Sequence, residues 1–132
     1  MQMKKKAKNP IFVIQKHKAA HLHYDFRLEK DGVLKSWAVP KEPPAEEGVK
    51  RLAIQVEDHE LGYASFEGQI PKGEYGAGTV EIWDKGYYVP LKFESKEILV
   101  ELIGKKLKGA YCLIKLKSNL SQDKNWLIFK KR

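Results

Sequence analysis

From His23 to Glu29 the chain alternates without exception. His23, Asp25, Arg27 and Glu29 occupy one parity, and Tyr24, Phe26 and Leu28 the other. A period of two belongs to an extended strand, whose successive side chains leave opposite faces. Wound as a helix, the same residues would mix polar and apolar groups on every side. Asp31-Gly32 follows, a dipeptide suited to a two-residue hairpin turn, because both central residues of that turn need positive φ. Val33–Val39 is then the antiparallel partner. One hairpin, with one core-facing and one polar side, is specified before the rest of the chain is considered.

The pattern continues. Ile11–Gln15, Lys50–Glu57, Thr79–Asp84, Glu97–Ile103, Leu107–Lys117 and Asn125–Lys130 read as further strands, separated by turn-formers such as Pro43-Pro44 and the Gly- and Pro-rich stretch Gly68–Gly78. About eight short, evenly spaced strands predict an all-β fold: a single closed or nearly closed β-barrel with minor flanking helix. Ser95–Leu102 also reads as helix, and Lys18–His21 as one turn. Residues 1–10 read as a flexible basic tail, and residues 11–132 as a single domain.

Hydrophobic residues make up 42% of the 132, which supports a core and excludes disorder. No apolar run reaches the roughly 20 residues of a membrane-spanning helix, and no apolar stretch of signal-peptide length follows Met1–Lys8. The expectation is a soluble, intracellular (cytoplasmic) protein without a membrane partner. The one cysteine, Cys112, excludes an internal disulfide and reads as a buried thiol. Lys and Arg number 25 against 17 Asp and Glu, a net charge of +8. That balance favours a polyanionic partner through phosphate contacts and counterion release.

Three of the four histidines, His17, His21 and His23, fall within seven residues; the fourth is His59. On the His23–Glu29 strand, His23 and Asp25 share a face at a Cα spacing of roughly 6.5 to 7 Å, so they can converge on one ion. His17 completes a His-His-carboxylate set if the turn Lys18–Leu22 folds the chain back. Such a set suits Mn, Fe or Zn and leaves positions open for substrate. Arg27, further along the face, can grip a phosphate bidentately. The plainer reading is an exposed strand whose charges pair sideways. His21 falls in the turn and reads as structural. Lys50–His59, treated as a strand, puts Arg51, Ala53, Gln55, Glu57 and His59 on one face and Leu52, Ile54 and Val56 on the other. His59 is then placed for phosphate binding or proton transfer, or is a surface histidine beside Asp58. Tyr63 follows on a loop, where it can hydrogen-bond a substrate oxygen or merely pack. Gly73-Glu74-Tyr75-Gly76-Ala77-Gly78 lacks the Lys-Ser/Thr ending of a P-loop, so its glycines read as turn residues. Trp37, Trp83 and Trp126 read as core.

Gln15-Lys16-His17, His21-Leu22-His23-Tyr24-Asp25-Phe26-Arg27-Leu28-Glu29 and Leu34-Lys35-Ser36-Trp37-Ala38-Val39-Pro40-Lys41 resemble the phosphoesterase module of bacterial DNA ligase D and its stand-alone relatives. Val56-Glu57-Asp58-His59, Tyr63, Phe66-Glu67-Gly68, Gly73 and Tyr75-Gly76-Ala77-Gly78 continue the likeness, which spans about residues 11–131. The resemblance implies a β-barrel and a Mn²⁺-dependent 3′-end-healing activity, with Co²⁺ or Zn²⁺ as further ions. The family trims a 3′-terminal ribonucleotide to a 3′-phosphate and removes that phosphate to leave 3′-OH, in non-homologous end joining. It implies DNA or RNA 3′ ends on a primer-template as substrate, and a DNA repair ligase as partner. By position, His17, His23 and Asp25 resemble the metal ligands. Arg27 and His59 resemble the phosphate-binding and catalytic pair, and Tyr63, Glu57, Lys41, Arg51 and Gln15 fall where the family lines or supports its site. Larger members carry an acidic, arginine-containing segment before this block, where Met1–Pro10 is lysine-rich.

Two other classes fit parts of the pattern. His-x-Asp with a distant histidine on a barrel is also the iron facial triad of oxygenases, and a basic barrel can bind nucleic acid without catalysis or dock on a repair ligase as a scaffold.

Overall fold

The structure, a computed structural model, describes residues 9–117 and 123–132. Nine strands are present: β1 (Ile11–Lys18), β2 (Leu22–Lys30), β3 (Val33–Val39), β4 (Lys50–Glu60), β5 (Gly68–Ile70), β6 (Gly78–Phe93), β7 (Glu97–Ile103), β8 (Lys108–Lys115) and β9 (Asn125–Lys130). A single 3₁₀ turn, Leu61–Ser65, is the only helical element among the described residues. None is a helix long and apolar enough to cross a membrane. The strands run in the order β1-β2-β3-β4-β9-β8-β7-β6, all antiparallel, and β1 pairs back onto β6 to close an eight-stranded barrel. β5 lies outside the closed ring and pairs with the first residues of β6. The tail proposed for residues 1–10 lies mostly outside the described residues, although the Pro10 carbonyl already accepts the Tyr88 N–H at 2.9 Å.

The alternating strand behaves as its pattern requires. Tyr24, Phe26 and Leu28 fill the barrel with Phe12, Ile14, Trp37, Val100, Leu113, Trp126 and Ile128. Trp37 and Trp126 meet edge to face at 5.5 Å, a favoured aromatic geometry. Asp31 and Gly32 both take positive φ, 53° and 83°, as the hairpin turn demands. The resulting register sets Asp25 opposite Ala38 and Arg27 opposite Ser36.

The polar side of β2 is also buried. Val13, Gln15 and His17 of β1, Asp25 and Arg27 of β2, and Leu34 and Ser36 of β3 are all buried on the outer barrel face. The 3₁₀ turn accounts for much of this. Ala64 and Tyr63 pack on Val13 and Leu34 with Ile11 and Ile82, a second small core outside the barrel.

Three details differ from the sequence pattern. In β4, Leu52 and Ile54 are exposed while Ala53 is wholly buried, so the polar-looking face points inward. β4 also bulges: Ser36 opposes Val56, but Leu34, two residues earlier, opposes His59, three residues later. The extra residue breaks the period, so His59 shares the outer face of Val56 and not that of Arg51, Ala53 and Gln55. Finally, β6 runs 16 residues through Gly86 and Pro90; a register shift beside Pro90 accommodates a residue that cannot donate to the ladder. Ser95–Leu102 is not helical, since β7 covers Glu97–Ile103, and of the turn read over Lys18–His21, Lys18 still belongs to β1 while residues 19–21 form a bend.

Candidate metal centre

His17 and His23 face each other across the β1–β2 pair, with ring centroids 4.8 Å apart, and Asp25 lies two residues along. His17 Nδ1 is 3.5 Å from Asp25 Oδ2, and His23 Nε2 is 3.3 Å from Asp25 Oδ1. One ligand atom from each residue falls within 4.8 Å of the others. Donors bound to one ion at about 2.0–2.2 Å sit about 3.0–3.6 Å apart, so the two histidine–Asp25 pairs already have that spacing, and the set could hold a divalent metal once its widest pair draws together by about 1 Å. The opposite ring nitrogens support this fit. His17 Nε2 meets the Gly76 carbonyl at 2.7 Å, and His23 Nδ1 meets the His21 carbonyl at 3.0 Å. A carbonyl can only accept, so those nitrogens carry the protons. With an ion bound, the lone pairs of His17 Nδ1 and His23 Nε2 would face it, the outer arrangement metal-bound histidines ordinarily have; without one, doubly protonated His23 donates from Nε2 to Asp25 Oδ1 at 3.3 Å.

Arg27 adjoins this cluster and is almost wholly buried. Its Nε donates to Gln15 Oε1 at 2.6 Å and its Nη1 to Ser36 Oγ at 2.8 Å. Nη1 also lies 3.1 Å from His59 Nδ1, and Nη2 lies 3.4 Å from Asp25 Oδ2. Of five guanidinium N–H groups, the two on Nη2 are left for Asp25 and an incoming oxygen. Gln15 is buried behind it, its Nε2 donating to the carbonyls of Tyr63 (2.7 Å) and Phe66 (3.2 Å). One amide therefore ties the cover segment to the arginine. Tyr63 lies over Arg27, with Cζ 4.9 Å from its ring centroid, and 5.0 Å from the His59 ring.

The electrostatics are mutual. Burial pushes the Asp25 carboxyl up, but the hydrogen bond from His23 and the charges of Arg27, His23 and His17 outweigh it and hold the pKa below its ordinary value. The hydrogen bond to Asp25 raises His23 against the cost of burial. Burial, then the charge of Arg27, lowers His59. A neutral His59 accepts from Arg27 at Nδ1 and carries its proton on Nε2. When doubly protonated, its Nδ1–H has the Glu57 carbonyl at 3.1 Å. Burial raises the Tyr63 hydroxyl.

The structure thus brings together His17, His23, Asp25, Arg27, His59, Tyr63 and Gln15. Glu57 is exposed and reaches His59 through its backbone carbonyl. Lys41 is exposed on the loop after β3, and Arg51 donates from Nε to the Glu42 carbonyl of that loop at 3.0 Å. Among the described residues neither hydrogen-bonds the cluster. Three participants escaped the sequence reading. Ser36 was recoverable, because a two-residue turn at Asp31-Gly32 pairs positions summing to 63, hence Arg27 with Ser36. The carbonyls of Gly76 and His21 carry no sequence signal.

A closed antiparallel barrel bearing two histidines and a carboxylate that could hold a metal, beside a buried arginine and a histidine, defines a class: a barrel whose clustered side chains could hold a divalent ion next to donors for an anionic oxygen group. Comparison with known proteins narrows it. Residues 15–115 match the family described as the DNA Ligase D 3′-phosphoesterase domain, and the chain belongs to that family. It is 51% identical over 125 residues to the multifunctional non-homologous end joining protein LigD of Pseudomonas aeruginosa, covering 90% of this chain and 15% of that protein. The Mycobacterium bovis LigD is 56% identical over 108 residues (79% of this chain, 14% of that protein). The Mycolicibacterium smegmatis LigD is 47% identical over 137 (96% and 17%). The chain spans about one-sixth of the length of these relatives.

Proposed function

We propose that this protein is a metal-dependent phosphoesterase of nucleic-acid 3′ ends, removing a 3′-phosphate or a 3′-terminal ribonucleotide to leave a 3′-OH. The observation that carries the reading is the meeting of Asp25 and Arg27 at 3.4 Å. A dication on His17, His23 and Asp25 would sit beside a buried guanidinium, and the excess positive charge calls for an anion touching both. A phosphate does so, with Arg27 Nη2 and His59 Nε2 donating to its non-bridging oxygens.

When bound, Mn²⁺ or a comparable divalent ion supplies Lewis-acid polarisation of the phosphoryl group. Water attacks phosphorus and gives up a proton to a phosphate oxygen as the bond to the leaving oxygen breaks; where a neighbouring 2′-OH attacks instead, the cyclic phosphate it forms is then opened by water. Doubly protonated His59, its Nδ1–H turned to the Glu57 carbonyl, passes the Nε2 proton to that oxygen. Gln15, Ser36 and Tyr63 hold Arg27 and His59 in place, while Lys41 and Arg51 contact strand phosphates on the rim. The end this leaves is the one a ligase requires, which places the activity before sealing in end-joining repair, with a repair ligase as partner.

The test is a primer-template ending in one 3′-ribonucleotide, and a second ending in 3′-phosphate, each incubated with Mn²⁺ or with chelator. Shortening to a 3′-phosphate and conversion to 3′-OH, both dependent on metal, are expected. Binding without any change at the 3′ end would favour a non-catalytic nucleic-acid barrel. Metal-dependent succinate formation from 2-oxoglutarate would favour the oxygenase chemistry.

A further inference from the structure

Tyr75 is fully exposed, 102% of its reference surface, the most exposed large hydrophobic side chain among the described residues. Its backbone is the opposite of loose. Two turn bonds hold the segment, Glu74 N–H to the Pro71 carbonyl (3.2 Å) and Ala77 N–H to the Glu74 carbonyl (3.1 Å). The next residue, Gly76, is pinned on the metal cluster by the 2.7 Å bond from His17. Gly76 has φ +77°, and a Cβ there would come within 3.4 Å of His17 Cε1. Tyr75 therefore stands one residue, about 3.8 Å of backbone, from a loop atom touching a residue of the metal set, with its ring in solvent. Lys72 in the same loop and Lys18, adjacent to His17, are also exposed.

An exposed, unpartnered aromatic ring on a hydrogen-bonded turn tied to His17 by the next residue, with exposed lysines in the same loop and next to His17 in sequence, offers the combination proteins use to stack a nucleobase while lysines follow the backbone. We propose that Tyr75 stacks on the base of the nucleoside adjoining the scissile phosphate, so that the enzyme engages the terminal nucleoside as well as its phosphate. This rests on the phosphoesterase reading and deepens it: the preferred substrate is a base-bearing 3′ end, with little regard to which base, since every base offers a π-face. The ring and not the hydroxyl is the recognising group, so phenylalanine should substitute for tyrosine.

The experiment compares two oligonucleotides ending in 3′-phosphate, one with an ordinary 3′-terminal nucleoside and one with an abasic tetrahydrofuran residue there. Wild type, Tyr75→Phe and Tyr75→Ala are assayed with Mn²⁺ for phosphate release and in chelator for affinity. Wild type and Tyr75→Phe are expected to prefer the base-bearing end by about 5- to 150-fold, expressed in KM and Kd more than in kcat. Tyr75→Ala should bring the preference near unity. A wild type indifferent to the terminal base, or a Tyr75→Ala protein that keeps the preference, overturns the inference even if phosphate is released. If no protein releases phosphate, the phosphoesterase reading fails. The stacking inference is then decided by affinity: it stands if Tyr75→Ala abolishes the binding preference and falls if it does not.

Discussion

Replacing Gln15 by methionine keeps the shape of the side chain and removes three hydrogen bonds from a site without solvent access. The Tyr63 and Phe66 carbonyls each lose a donor, and the Arg27 Nε–H loses its acceptor. The Tyr63 carbonyl keeps the Phe66 N–H at 3.0 Å, so two groups, the Phe66 carbonyl and the Arg27 Nε–H, are left without these partners; at about 1–3 kcal/mol each, with the charged one toward the upper end, the loss should be about 2–5 kcal/mol. Against a total stability of about 5–15 kcal/mol, and at about 3–5 °C per kcal/mol for a domain of this size, the melting temperature should fall by about 6–25 °C. Gln15→Glu restores an acceptor for Arg27 but supplies no donor to the two carbonyls. It should keep more activity than Gln15→Met while still loosening the cover. Urea unfolding followed by tryptophan fluorescence measures the first effect, and limited proteolysis within residues 61–78 the second. A Gln15→Met protein within about 1 kcal/mol of wild type, with unchanged cleavage in that segment, would refute the claim that this amide ties the cover to Arg27.

Gly76→Ala should place a methyl against His17 and force a left-handed backbone on alanine. A stability loss of about 1–2 kcal/mol is expected, with metal affinity down about 10- to 100-fold because the carbonyl orienting His17 moves; calorimetric titration with Mn²⁺ checks the second figure. The lowered pKa of His59 means that the unfolded chain takes up this proton more readily than the folded one. Its contribution is present above the ordinary histidine value near 6.5 and is lost as pH falls below it. Denaturation curves should therefore show wild type losing more stability than His59→Gln on acidification from neutral pH. A metal held by the folded cluster alone should raise the melting temperature, by an amount equivalent to about 2.7 kcal/mol at a concentration 100 times Kd; thermal scans with Mn²⁺ and with chelator should separate accordingly.

Much of the architecture was legible because the His23–Glu29 strand carries its burial pattern in its own alternation, and because Asp31-Gly32 fixes the register of the hairpin beside it. The clustering of His17, His23 and Asp25 was legible for the same reason: they lie on two adjacent strands joined by a short bend. What could not be read depends on distant segments or broken periods. Gln15 and Arg27 are sealed on the outer barrel face by residues 61–66, nearly 50 positions downstream of Gln15, and nothing local announces the cover. The β4 bulge turns His59 to the site by adding one residue, an irregularity that a period-two pattern hides. Gly86 and Pro90 interrupt the composition of β6 without ending it.

The central claim is that a divalent ion on His17, His23 and Asp25 is what makes this barrel cleave phosphate esters at 3′ ends. Its most direct measurement is phosphate release from a 3′-phosphate oligonucleotide as Mn²⁺ is titrated into wild type and Asp25→Ala, both shown to be folded. The account predicts release that saturates as one ion binds per chain, vanishes in chelator, and is absent from Asp25→Ala. Equal release in chelator, or full metal-dependent release by folded Asp25→Ala, would contradict it.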